Sequence, residues 1–222
     1  MPDSLFAPID LYCERLSAGL LAEPLNLASN LAFVIAGLWG VAAVRRHGAG
    51  RGAEAMGWWV VAIGIGSAIF HSWATRLTVW ADVIPIATFT FAYTLFNLRR
   101  FMGVAWPAAL GIFVAFYAVV GFGTYMVPDW LRQATNGSTG YLPPFLALIV
   151  FGILVIRQGN PAGWYNLVAA AIFCVSVTFR MLDPVVCGTL PIGTHFLWHV
   201  FNGLMLAVIL AAVARHGAPR RA

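Results

Sequence analysis

The 222-residue chain contains no lysine, and all 13 of its basic residues are arginine. Charged residues of either sign make up only 9% of the chain, whereas 61% are hydrophobic. A water-soluble domain of this size needs far more polar surface, so the solvent for most of the chain is lipid. A cleavable signal peptide is also missing from the sequence pattern. The first 23 residues hold Asp3, Asp10, Glu14 and Glu23, with no basic start followed by an apolar core, so a retained N-terminus is expected. The net charge of +5 is no nucleic-acid signature, because the arginines are scattered over several loops. Arginine without lysine, with abundant alanine and glycine, points to a GC-rich bacterial genome and hence to a bacterial cytoplasmic membrane.

What is present is apolar runs. A spanning helix needs about 20 mostly apolar residues. Seven segments qualify: 25–44, 56–75, 81–98, 104–126, 142–157, 163–182 and 194–214. Pro143 and Pro144 mark the start of the fifth. The length leaves no room for a second soluble domain, so residues 1–222 read as one all-α, seven-transmembrane-helix bundle.

Arginine placement orients it. Arg45, Arg46, Arg51, Arg99, Arg100, Arg157, Arg215, Arg220 and Arg221 fall on one side, and Arg15, Arg76, Arg132 and Arg180 on the other. The richer side is predicted to be cytoplasmic, which puts the N-terminus outside and the C-terminus inside.

Ionisable side chains within spans cost about 2.5–3.5 kcal/mol at a helix centre, so each one calls for a reason. Ser67 and His71 share a face at the end of the second helix. Asp82 opens the third. His195 and His199 open the seventh, four residues apart on one face. The alternating topology brings all five to one depth near the outer interface. Interfacial histidines beside tryptophans often only anchor a helix, but this convergence favours a metal site. Three histidines on zinc leave a fourth position for water, the catalytic arrangement. The HxxxH lacks the glutamate of HExxH proteases, so the general base must come from elsewhere, and Asp82 is the candidate. Ser67 can orient a ligand or donate to an oxyanion. His47 and His216, among arginines, read as solvated loop residues.

A second polar stripe, Glu23, Asn26, Ser29 and Asn30, lies on the first helix. Asn26, Ser29 and Asn30 read as interhelical hydrogen-bonding groups. Glu23 joins Asp10 and Glu14 as carboxylates that can cage a hard cation such as calcium. Cys13 and Cys187 fall on the same side, where a disulfide is chemically permitted. Cys174 reads as helix packing, and Arg180 with Asp183 as a local pair.

Several elements then carry a resemblance. They are Tyr12-Cys13-Glu14; Ala22-Glu23-Pro24-Leu25-Asn26 with Ser29-Asn30; Ser67 and His71 with Asp82 eleven residues on; Arg180 to Asp183 with Cys187; and His195 to His199. In this order they resemble the alkaline ceramidases, seven-helix membrane hydrolases related to adiponectin receptors. The resemblance implies an intramembrane zinc amidase that splits ceramide into a sphingoid base and a fatty acid. It implies zinc on His71, His195 and His199, catalytic roles for Asp82 and Ser67, and a lipid substrate entering from the membrane. It also implies calcium on Asp10, Tyr12 (by its backbone carbonyl), Glu14 and Glu23, and a Cys13–Cys187 disulfide. The chain departs from the pattern in carrying Tyr12 for a tryptophan and a short segment between Glu14 and Glu23. It also has Leu16 or Ser17 where animal members carry a calcium-binding asparagine.

Other readings are a hydrolase of this fold acting on another lipid, a receptor-like sensor, or a transporter. The short cytoplasmic loops weigh against a receptor, and the lack of acids in the inner half weighs against a transporter. For the orientation, a reporter fused after the C-terminus is expected to signal from the cytoplasm; an extracytoplasmic signal contradicts it.

Overall fold

The structure is a computed structural model and describes residues 4–219. Seven helices are long and apolar enough to cross a membrane: α1 Pro24–His47, α2 Arg51–Trp73, α3 Thr78–Phe101, α4 Trp106–Tyr125, α5 Ser138–Arg157, α6 Ala162–Val186 and α7 His195–His216. The all-α, seven-span architecture expected from hydropathy is therefore the fold, and it fits an integral multi-pass membrane protein. Among the described residues the only extended pairing is an isolated bridge between Pro8 and Thr75.

The ends of the spans differ from the hydropathy boundaries for local reasons. α2 starts at Arg51, not at 56, because its polar first turn is helical. Glu54 in that turn accepts two hydrogen bonds from the Arg45 guanidinium at the end of α1, at 2.6 and 3.0 Å. α5 opens with one 3-10 turn, Ser138–Tyr141, before its paired prolines. α6 continues past 182 through Pro184. A proline removes the amide that would bond the carbonyl four residues back. That carbonyl, on Arg180, accepts instead from Asn136 Nδ2 at 3.4 Å. Arg180 is thus inside a helix, and His47 and His216 are the last residues of α1 and α7 instead of loop residues.

The helices form a ring. Each packs on its chain neighbour, α7 returns to pack on α1, and α3 touches α5. α7 also touches α2 and is buried along most of its length. α4 is the outlier, with Ala109 its one buried residue. Its large apolar side chains, such as Val119 and Phe122, are exposed, as a lipid-facing helix requires.

One close approach sets the site. Pro85 lies within α3 and frees the carbonyl of Ala81 from its helical bond. That carbonyl faces Gly66 of α2, where an added Cβ would lie 2.0 Å from it. The missing side chain lets α2 and α3 meet there. Ser67, next to Gly66, and Asp82, next to Ala81, come to line one cavity as a result. Gly66→Val is expected to force these helices apart, at a cost of about 1–3 kcal/mol, and to lower the thermal midpoint in detergent. An unchanged midpoint contradicts the contact.

Candidate metal centre

An N-terminal strap, residues 4–23, lies across the α2–α3 turn. Ile9 N donates to Ala74 O at 2.7 Å and Arg76 N to Ala7 O at 3.1 Å. Cys13 is joined to Cys187 by a disulfide. The strap therefore covers the end of the bundle where α2 finishes and α7 begins.

Beneath it the three histidines meet. His71, His195 and His199 are each 2% exposed or less. They offer ring nitrogens that all lie within 4.8 Å of one another. The ring hydrogen bonds determine which nitrogens are free. His71 Nδ1 is 2.5 Å from Glu23 Oε2 and donates to it. His71 Nε2 is buried and has no partner. His199 Nδ1 lies 2.7 Å from Ser29 Oγ and 3.1 Å from Asn26 O. Ser29 Oγ already gives its proton to Asn26 O at 2.8 Å. Both neighbours of His199 Nδ1 are therefore acceptors, Nδ1 carries the proton, and Nε2 keeps a lone pair. His195 leaves Nδ1 buried without a partner.

Orphaned buried nitrogens are costly unless something fills the space between them. Three neutral imidazoles, two of them oriented through their second nitrogen by a carboxylate or hydroxyl, fit a transition metal such as zinc. No carboxylate or thiolate belongs to the cluster among the described residues.

Local structure explains why the rings point inward. α7 begins at His195 because Asp183, on α6, caps it: Oδ1 accepts from Thr194 N at 2.7 Å and His195 N at 2.9 Å. Its Oδ2 accepts from Cys13 N at 3.1 Å, which ties the strap to the same point. Gly193 has φ of +63°, and a Cβ there would meet Asp183 Oδ1 at 2.1 Å. Asp183 is thus occupied by backbone amides, and no ion pair joins it to Arg180 among the described residues. Arg180 donates instead to Asn136 O at 2.6 Å and Ser138 Oγ at 2.8 Å.

The structure does not gather the carboxylates expected to cage calcium. Asp10 is exposed. Glu14 accepts from Leu25 N at 2.6 Å and Asn26 N at 2.8 Å, satisfying free amides at the start of α1. Glu23 is held by Arg15, His71 and Asn26. Burial pushes the Glu23 carboxyl up, but these partners outweigh it and hold its pKa below the ordinary range. Tyr12 stacks on His195, ring centroids 3.6 Å apart, and its carbonyl accepts from Arg15 N. Burial raises the Tyr12 hydroxyl pKa well above its usual value.

A cavity descends from the cluster. Ser67, Asp82 and His199 line one end, and Tyr93, Asn97 and Asn166 the other. Its walls between are apolar, including Phe89, Leu148 and Phe173. Asp82 and Asn97, fifteen residues apart on α3, imply a length of about 20 Å. Asp82 Oδ1 is buried and unpartnered at the head of it. A polar chain closes the far end: Tyr93 Oη donates to Asn166 Oδ1 at 2.5 Å, and Asn166 Nδ2 to Asn97 Oδ1 at 2.6 Å. The sequence reading missed Ser29 and Asp183 as positioning groups, and gave no hint of this polar floor.

The fold and this cluster define a seven-helix membrane protein with a metal-type histidine site at the head of an apolar cavity. The chain matches the Ceramidase family model over residues 9–219 and belongs to that family. Hydrolysis of ceramide is the general activity that membership supports. No curated protein matches the chain. Ser29→Ala removes the acceptor best placed for His199 Nδ1–H. It is expected to weaken zinc binding by about 10–100-fold, measured by competition with a chromophoric chelator; wild-type affinity contradicts the assignment.

Proposed function

We propose that this protein is a zinc-dependent amidase that hydrolyses ceramide to a sphingoid base and a free fatty acid. The observation that carries this reading is the shared cavity: Ser67, Asp82 and the innermost histidine line the head of an apolar channel about the length of a lipid chain. Family membership supports the substrate.

In this reading His71, His195 and His199 hold the zinc. Zinc, when bound, lowers the pKa of water and polarises the amide carbonyl. The rest belongs to the chain's own residues. One hydrocarbon chain of the lipid fills the cavity lined by α1, α2, α3, α5, α6 and α7, which fixes the amide beside Asp82. Asp82 Oδ1, free of other partners, accepts the proton of the attacking water. It returns that proton to the amide nitrogen as the carbon–nitrogen bond breaks, so the leaving group departs as a neutral amine. The Ser67 hydroxyl donates to the carbonyl oxygen as negative charge develops on it. The strap, closed by Cys13–Cys187, keeps bulk water off the histidines from above.

The substrate reaches the site from the membrane, as an amphiphile with a buried amide must. The match over residues 9–219 supports a single ceramidase-like domain. The arginine distribution supports an extracytoplasmic site in the cytoplasmic membrane of a bacterium.

Purified, zinc-loaded protein is expected to release fatty acid from ceramide vesicles or micelles. His71→Ala is expected to abolish this, and Asp82→Asn to reduce it by about 10²–10⁴-fold. Full activity in either variant, or no cleavage of any N-acyl lipid by the wild type, contradicts the proposal.

A further inference from the structure

Arg15 is an unusual residue to find under the strap. Its side chain is 5% exposed, against 1% for Glu23 and 0% for His71, with which it forms one buried group. The guanidinium donates in three directions. Nε reaches Glu23 Oε1 at 2.5 Å, Nη1 reaches Ser17 O at 3.3 Å and Nη2 reaches His71 O at 3.2 Å. Its surroundings are thus a carboxylate oxygen and two backbone carbonyls. That is an oxygen set of the kind a hard divalent cation takes.

A cation is required at this place. Glu23 is 1% exposed, and a buried charge is tolerated only where it is paired and hydrogen-bonded. Its Oε1 accepts from Arg15 while its Oε2 faces His71 Nδ1 and Asn26 Nδ2, so the guanidinium holds the carboxylate where it orients His71. The His71 carbonyl has its own need. It belongs to the last turn of α2, where carbonyls lack helical partners and a positive charge is favoured. One guanidinium meets both needs, with a charge independent of pH and of any dissolved ion.

We propose that Arg15 is the built-in cation of this strap, orienting the metal ligand His71 through Glu23, and that the protein needs no calcium. This rests on the reading of His71 as a metal ligand. The acids that would form a calcium cage are committed elsewhere: Glu14 to the amides of Leu25 and Asn26, and Glu23 to Arg15, His71 and Asn26. A divalent ion on the same oxygens would lie against the fixed positive charge of Arg15 and be repelled by it. Arg15 touches no reacting group in this scheme and is a positioning residue.

The test uses the purified full-length protein, with zinc affinity from chelator competition and the visible absorption of the cobalt-substituted site as readouts. Neither depends on ceramide cleavage, so a failure of the substrate assignment leaves this inference standing or falling by itself. Added calcium, compared with calcium-free buffer, is expected to leave the thermal midpoint and zinc affinity of the wild type unchanged. Arg15→Met is expected to weaken zinc binding about tenfold or more, as loss of a ligand-orienting partner does. Adding Arg15→Met to Glu23→Gln is expected to cause little further loss, because the arginine acts through the carboxylate. Calcium that raises the midpoint or zinc affinity of the wild type overturns the proposal. So does wild-type zinc affinity in Arg15→Met, or full additivity in the double variant. Should Arg15→Met fail to fold, the wild-type calcium titration alone still decides the calcium claim.

Discussion

The hydrogen bond from His71 Nδ1 to Glu23 joins every part of the site end of the bundle. It crosses from α2 to the residue preceding α1, so it fixes the strap and the first two helices relative to one another. It settles the tautomer of His71 and leaves Nε2 directed at the other two rings. The bond is strong because its acceptor is a buried carboxylate whose other oxygen is paired with Arg15. Asn26 Nδ2, at 3.1 Å, completes the same carboxylate. A chain of polar groups thus runs from a strap arginine to the ring that faces the cluster.

A bilayer makes such pairing favourable. Polar groups facing lipid have no water to fall back on, so those within the helices pair with one another or line the cavity. The exceptions are His71 Nε2, His195 Nδ1 and Asp82 Oδ1 at the site end, with the amide oxygens of Asn26, Asn30 and Asn202. At the foot of the cavity the opposite holds. Tyr93, Asn97 and Asn166 close on one another and offer the cavity a saturated surface. An apolar channel with reactive groups at one end and a sealed polar floor at the other suits a long, thin, mostly hydrocarbon ligand.

Much of this was legible in the sequence. Seven apolar runs separated by short arginine-bearing loops gave the architecture, because lipid burial requires length and apolarity above all else. Helical spacing placed Ser67 with His71 and His195 with His199, and topology brought them to one depth. What stayed hidden depends on contacts between segments far apart in the chain. Ser29 and His199 are 170 residues apart, and nothing in either segment alone shows that they meet. Asp183 looked like a partner for Arg180 by proximity, yet amides at the start of α7 take one of its oxygens and the Cys13 amide of the strap takes the other. The carboxylates of the strap looked like a calcium cage because a sequence shows charges and not their commitments. Arg15, one residue from Glu14, is the side chain on which the proposal of a strap without calcium rests. The floor of the cavity was invisible for a similar reason: Tyr93 and Asn97 on α3 and Asn166 on α6 are ordinary polar residues until the two helices meet.

The central claim is that three imidazoles share one metal ion in this bundle. X-ray absorption at the zinc edge of the purified, zinc-loaded protein tests it most directly. Three imidazole nitrogens and an oxygen at about 2.0 Å are expected. A spectrum dominated by sulfur or by oxygen alone, or zinc bound equally well after His195→Ala, would contradict it.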